Sequence, residues 1–367
     1  MSELSVKIIF LLLLLVAGYV WFLLFRRAKT GCLGIRLPII GGRAYDISLF
    51  GLEKCHKFDS KKYGRVQDYL VKHVGLCKTD FTKARLATEQ ELFLVHTPAY
   101  IQSLYNSETI AKIVELNLVK WVPNSILRWR LLKPMKLATG GTIQAAQLAL
   151  QYGWAINLGG GYHHAKYDTG DGFCVYADIC IAVEQLWRQD PDLKIMIIDL
   201  DAHQGSGYQN YFANNKKVTM FDIYNADRCP PRWEKERQYI RFNFPVYDKI
   251  GSQIYVELLE AELSKALDIL EKEGNKPDLI IFNAGTDSLV GDPLGCMDIT
   301  PEAMIIRDEF VFGQAKNRKI PIIYLFSGGY TTESSYVIGR SLVNILEKFL
   351  GIKEGVSFDK VPKLFKK

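Results

Sequence analysis

Four apolar residues in a row, Ile195 to Ile198, run without a break into Asp199-Leu200-Asp201-Ala202-His203. Such a run is short enough for a strand covered on both faces, the environment of a parallel sheet flanked by helices. If extended geometry persists past the run, alternate residues share one side. Asp199, Asp201 and His203 then point together into the space beyond the sheet edge, where open α/β sheets bind ligands. Taken alone, these residues equally suit the capping of a following helix by Asp201 or Ser206, so other segments must decide.

Three further runs repeat the pattern. Trp154 to Leu158 reads as a buried strand that enters Gly159-Gly160-Gly161-Tyr162-His163-His164. A glycine run lets the backbone turn sharply and carries the two histidines to a loop apex. A phosphate cradle would instead want a Lys-Ser or Lys-Thr pair opening a helix, and adjacent histidines suit acid–base work because both titrate near neutrality. Leu279 to Asn283 ends in Ala284-Gly285-Thr286-Asp287, and Ile320 to Phe326 ends in Ser327-Gly328-Gly329-Tyr330. Val218 to Ile223 is one more buried strand, ending near Asp222. Between these runs lie helical patterns, among them Ser60 to His73, Leu137 to Tyr152, Cys174 to Trp187 and Ser252 to Lys272. Strand–helix alternation implies a three-layer α/β/α fold around a mainly parallel sheet, with all the strand-end loops on one side.

That convergence gives the motifs their meaning. Asp201, His203 and Asp287 make a set of three protein ligands with a position left open, the arrangement of catalytic rather than structural zinc. The imidazole favours zinc, iron or cobalt over magnesium. Gly172 and Phe173, in the tight turn after the histidine loop, suit the wall of a narrow entry. His56 and His73 lack neighbours that would complete a metal set and read as structural.

The amino-terminal part differs in kind. Ile8 to Phe25 carries no charge, and as a helix it would span roughly 27 Å, close to the thickness of a thin bilayer's hydrocarbon core. Arg26, Arg27 and Lys29 follow it instead of the small residues of a signal-peptide cleavage site. The expectation is a retained single-pass anchor at residues 1–29, with the carboxyl-terminal bulk facing the cytoplasm by the positive-inside rule. Residues 30–42 are read as a juxtamembrane linker, 43–350 as the catalytic domain and 351–367 as a basic tail. The formal net charge of +6, from 46 basic and 40 acidic residues, gives no support to direct nucleic-acid binding. Seven cysteines, none in a Cys-x-x-Cys pair, suit a reducing compartment.

Asn157 to Ala165, Asp199 to Gly205, Asn283 to Asp287 and Ser327 to Tyr330 together resemble the zinc-dependent histone deacetylase family, and the Asp-Ala-His-Gln-Gly and Asn-Ala-Gly-Thr-Asp wordings are most similar to its class IV branch. The resemblance covers about Arg43 to Leu350 and leaves the anchor outside it. It implies the arginase/deacetylase fold and a single zinc ion on Asp201, His203 and Asp287. It also implies proton handling by His163 and His164, with Asp199 orienting His163, and an oxyanion contact from Tyr330. Zinc polarises an amide carbonyl and acidifies bound water, and His164 is the candidate base. The implied substrate is an N-ε-acyl-lysine in a protein or peptide, a long fatty acyl chain ahead of acetyl. The family also implies a structural potassium ion near Asp199, Asp201, His203 and Asp222.

The sequence departs from the family at Ser206, where many members carry Asp or Asn to orient the second histidine. A hydroxyl supplies no charge, so the pKa of His164 should be less raised. The dinuclear ureohydrolases need further carboxylates where this chain has Gly205 and Leu289, which disfavours them. Hydrolysis of a small acylated amine such as an acetylpolyamine, and non-catalytic acyl-lysine binding, stand as alternatives. The sequence does not fix the oligomeric state.

Overall fold

The apolar runs at Trp154, Ile195, Leu279 and Ile322 become neighbouring strands of one sheet. The structure, a computed structural model, describes residues 35–357 and 359–365. Its strands are β1 (Leu37–Ile40), β2 (Phe81–Thr82), β3 (Trp154–Asn157), β4 (Ile195–Asp199), β5 (Val218–Asn225), β6 (Phe242–Val246), β7 (Leu279–Asn283) and β8 (Ile322–Leu325). They lie in the order β2-β1-β3-β8-β7-β4-β5-β6, with every neighbouring pair parallel. All residues of β3, β4, β7 and β8 are buried, as strands covered on both faces must be.

The long helices are α1 (Lys62–Val74), α2 (Lys133–Tyr152), α3 (Asp178–Trp187), α4 (Ser252–Lys272), α5 (Pro301–Arg318) and α6 (Ser334–Leu350). α2 packs on α3 and against β1, β3 and β8, while α1, α6, α5 and α4 pack side by side in that order. The expected three-layer arrangement is therefore present. Register then sets the site. Asn157 lies opposite Leu325, Leu325 opposite Asn283, Asn283 opposite Asp199, and Asp199 opposite Asp222. The strands end level, so their loops leave from one edge.

The sequence reading needs correction at the periphery. Residues 37–40, assigned to a linker, form β1 between β2 and β3, so the sheet takes in part of that span. Pro38 hides this strand from a pattern reading, but it lies where the β1–β2 register is irregular, between Leu37 and Ile40, and an irregular pairing tolerates a missing N–H. Pro245 likewise sits in β6, on the sheet edge. The helix expected from Cys174 starts only at Asp178, because Asp171 to Cys174 closes a tight bridge. The carboxyl-terminal segment is partly packed: Ile352 and Leu364 are buried, and Trp154 Nε1 donates to the Pro362 carbonyl at 2.8 Å. Cys55, Cys174, Cys180, Cys229 and Cys296 are free thiols, whereas Cys77 is disulfide-bonded, so the sequence's picture of unpaired cysteines holds only in part. The run at residues 8–25, with the anchor expected there, lies outside the described residues. Among the described residues no helix is long and apolar enough to cross a membrane.

One buried side chain ties a helix to the loops that matter. Arg307 of α5 donates to the carbonyls of Leu200 (3.2 Å), Ala284 (3.3 Å) and Gly285 (2.7 Å), which belong to the loops after β4 and β7. It pairs with Asp308 at 2.8 Å, and Asp308 accepts in turn from Tyr324 and Ser341. Removing one partner of a buried pair strands the other. Arg307→Met is expected to lower the unfolding free energy by about 3–5 kcal/mol, read as the shift of a denaturant unfolding transition at constant pH.

Candidate metal and active site

The histidine loop is held from below by a carboxylate that the sequence reading took for an ordinary helix residue. Asp178, at the start of α3, accepts from the backbone N–H groups of Gly161 (2.9 Å) and Tyr162 (2.8 Å) and from Thr142 Oγ1 (2.6 Å). This fixes the turn that presents His163 and His164. Both rings are buried, 3.9 Å apart between centroids.

Their surroundings differ. His163 Nδ1 meets Asp199 Oδ2 at 2.9 Å, and its Nε2 lies 3.7 Å from Asp201. Burial works against a charged ring there, but Asp199, Asp201 and Asp287 outweigh it and push the pKa of His163 up to about 9. Asp199 is itself fixed by N–H donors from Asp201 (3.1 Å) and Asn283 Nδ2 (3.0 Å). His164 Nδ1 instead faces a hydroxyl, Ser206 Oγ, at 3.4 Å. Burial, then the neighbouring His163 and His203, drive its pKa well below the ordinary imidazole value. Two touching imidazoles thus stand in unlike electrostatic surroundings.

Asp201, His203 and Asp287 come together as expected, with one ligand atom from each lying within 4.8 Å of the others. His203 Nδ1 is 2.8 Å from Asp287 Oδ2 and 3.3 Å from Asp201 Oδ1. Ligands held at about 2.0–2.1 Å from a tetrahedral centre stand roughly 3.3 Å apart, and the two distances from His203 Nδ1 to the carboxylates lie near that spacing. The remaining carboxylate oxygens are oriented by backbone: Asp287 Oδ1 accepts from Ala202 N (2.8 Å), and Asp201 Oδ2 from Gly328 N (2.8 Å). A Cβ at Gly328 would stand 2.6 Å from both Asp201 Oδ2 and Asp287 Oδ2, so only glycine leaves the space beside the two carboxylates open. One imidazole, two buried carboxylates and a cleared cradle fit a divalent cation.

A cavity enclosing about 760 Å³ of empty space, its open side included, adjoins the histidines. Its walls include Leu49, Phe58, Val114, Leu116, Val119, Leu131 and Met135, and Gly172, Phe173 and Tyr330 line it near His164. Phe173 adopts φ +66°, uncommon for a bulky residue and a mark of functional sites. Its ring meets Tyr330 at 5.9 Å and His56 at 4.5 Å. His56, read as structural, also lines the cavity, with its Nε2 against the Val114 carbonyl at 2.7 Å and its Nδ1 against Phe58 N at 2.9 Å. The Tyr330 backbone N–H donates to Asp292 (2.8 Å), and burial followed by Asp287 and Asp201 raises its phenol pKa, keeping the hydroxyl protonated.

Two residues of the site have no signal in the local sequence. Trp233 stacks on His164 at 4.2 Å and is held by Asp171 through Nε1 at 2.9 Å. Lys62, in α1, is fully buried and donates to the carbonyls of Ser327 (2.7 Å) and Gly328 (2.8 Å). Burial lowers its pKa to about 8, against the pull of Asp287, Asp201 and Asp292. Both act through contacts between segments far apart in the chain.

A parallel three-layer fold with an Asp-His-Asp set beside a histidine pair belongs to the arginase/deacetylase class. Within that class, residues 56–346 match the histone deacetylase domain, and the chain belongs to the histone deacetylase family, a family of amidohydrolases. It is 38% identical over 310 residues to histone deacetylase 2 of Arabidopsis thaliana, covering 84% of this chain and 79% of that protein. It is 29% identical over 205 residues to human histone deacetylase 1, covering 53% of this chain and 40% of that protein. The fold matches crystal structures of a histone deacetylase homologue complexed with SAHA (TM-score 0.65, 24% identity, 85% of this chain and 83% of that one) and of a homologue from Aquifex aeolicus (TM-score 0.65, 22% identity, 90% and 95%).

Proposed function

We propose that the chain is a membrane-anchored, zinc-dependent deacylase of N-ε-acyl-lysine, of the class IV kind, with a preference for long acyl chains. The observation that carries the reading is the convergence of Asp201, His203 and Asp287 with the unlike pair His163 and His164 beside an apolar cavity. Asp201, His203 and Asp287 would hold zinc, which when bound polarises the scissile carbonyl and lowers the pKa of water.

The chain's own residues divide the remaining work. His164, kept neutral by its surroundings, takes the proton of the attacking water. His163, kept charged by Asp199, supplies a proton to the lysine nitrogen as it leaves. Tyr330 donates its hydroxyl hydrogen to the carbonyl oxygen as negative charge develops there. Gly172 and Phe173 confine the acyl-lysine stem beside His164. A potassium ion near Asp199, Asp201, His203 and Asp222 is part of the same proposal. Its support is Asp222 Oδ1, buried with no partner among the described residues.

The cavity favours long chains because each methylene taken from water stabilises the complex by about 0.8 kcal/mol, roughly fourfold in affinity. An acetyl group would leave most of this apolar wall in contact with water. The anchor expected at residues 8–25 and a cytoplasmic catalytic domain would bring the site to lipidated proteins at a membrane surface.

Turnover of a lysine-peptide series from acetyl to myristoyl tests the reading. The expected result is kcat/KM rising by 10² or more along the series and falling 10²–10⁴-fold in His164→Ala. Turnover of acetyl-lysine alone would contradict the long-chain assignment, and unchanged turnover in His164→Ala would contradict its role. The pH profile gives a second test. Because His164 is depressed, kcat/KM should persist below the ordinary imidazole pKa of about 6.5. In Ser206→Asp a carboxylate stabilises the imidazolium, so the acid-side fall should move to higher pH.

A further inference from the structure

Residues 116–136 carry five basic side chains, Lys120, Arg128, Arg130, Lys133 and Lys136, and no acidic one. No carboxylate among the described residues accepts an ion pair from them. Three of these charges lie over aromatic rings instead: Lys120 on Trp121 at 5.3 Å, Arg128 on Tyr105 at 4.3 Å, Arg130 on Trp129 at 3.9 Å and on Phe50 at 5.6 Å. The rings themselves face solvent, with Trp121 78%, Phe50 75% and Trp129 55% exposed, and Leu118 50% exposed beside them. Large apolar side chains grouped on a surface mark an interaction site. Tryptophan and tyrosine interleaved with unpaired lysine and arginine suit one environment in particular, the headgroup zone of an anionic bilayer.

The segment has a second face. Leu116, Val119, Leu131 and Met135 line the cavity beside His164, while Leu118, Lys120, Trp121, Arg128 and Trp129 look outward. Leu49 and Phe50 repeat the division on the adjoining loop. One stretch of chain is therefore both cavity wall and basic-aromatic surface.

We propose that Phe50 and residues 116–136 form a docking surface for an anionic lipid bilayer, laying the acyl cavity against the membrane from which its substrate's fatty chain is withdrawn. The last clause rests on the deacylase reading; the docking itself does not.

Hydrogen exchange of the full chain, with vesicles of phosphatidylcholine alone or mixed with phosphatidylserine, tests the surface without recourse to activity. The expected result is exchange across residues 117–131 at least tenfold slower on the anionic vesicles. That protection should be lost in Lys120→Glu/Arg128→Glu and kept in Lys120→Arg/Arg128→Lys. All three proteins should turn over a soluble acyl-lysine peptide in detergent equally, which separates failure of the surface from failure of the enzymatic reading. Equal exchange on both vesicle types would overturn the proposal. So would protection that grows with protein concentration in lipid-free detergent, the signature of a second copy on this face.

Discussion

The strand ends gather more negative charge than a buried site can hold by itself. Asp199, Asp201, Asp222 and Asp287 are fully buried, and Asp292 nearly so. Burying an unpaired carboxylate costs several kcal/mol, and much of the surrounding structure answers that cost. His163 pairs with Asp199, His203 lies between Asp201 and Asp287, and the Lys62 ammonium stands within their field. Asp222 is instead held well above the usual carboxylate range by burial and by Asp199. The backbone N–H groups of Ala202, Gly328 and Tyr330 fix the remaining oxygens. A divalent cation on the Asp-His-Asp set is the element that completes this charge balance.

The fold supplies what such a cluster requires, which is rigid placement. Level register across β3, β8, β7 and β4 brings the four loops to one edge, and Arg307 ties the loops after β4 and β7 to a helix on one face of the sheet. On the other side of the site the demand is reversed. The cavity is apolar and its wall is shared with an exposed basic-aromatic surface, so a single segment of chain stands between the apolar space and solvent.

How much of this was legible in the sequence depends on whether the signal was local. Asp199, Asp201, His203 and Asp287 could be placed at one edge because each follows a short apolar run directly, and a parallel sheet makes the ends of such runs coincide. Phe173 was legible from the glycine turn before it. β1 and β6 were not, because Pro38 and Pro245 contradict the strand pattern and are tolerated only by position. β2 has two residues and no periodicity to read. Lys62 looks like a surface lysine of an amphipathic helix, and Trp233 like an apolar residue in a charged stretch. Their roles exist only once segments far apart in the chain are packed together. Ser206 shows the opposite case, a single residue whose lack of charge is plain in the sequence and which the fold places against His164.

The central claim is that two strand ends, those of β4 and β7, build one metal centre from one imidazole and two carboxylates. X-ray absorption at the zinc edge, on the purified full chain with its metal content measured, tests it most directly. One zinc per chain with a first shell of nitrogen and oxygen near 2.0–2.1 Å and no sulfur is the result this account requires. A sulfur-containing shell, two metals per chain, or a zinc signal unchanged in Asp287→Ala would contradict it.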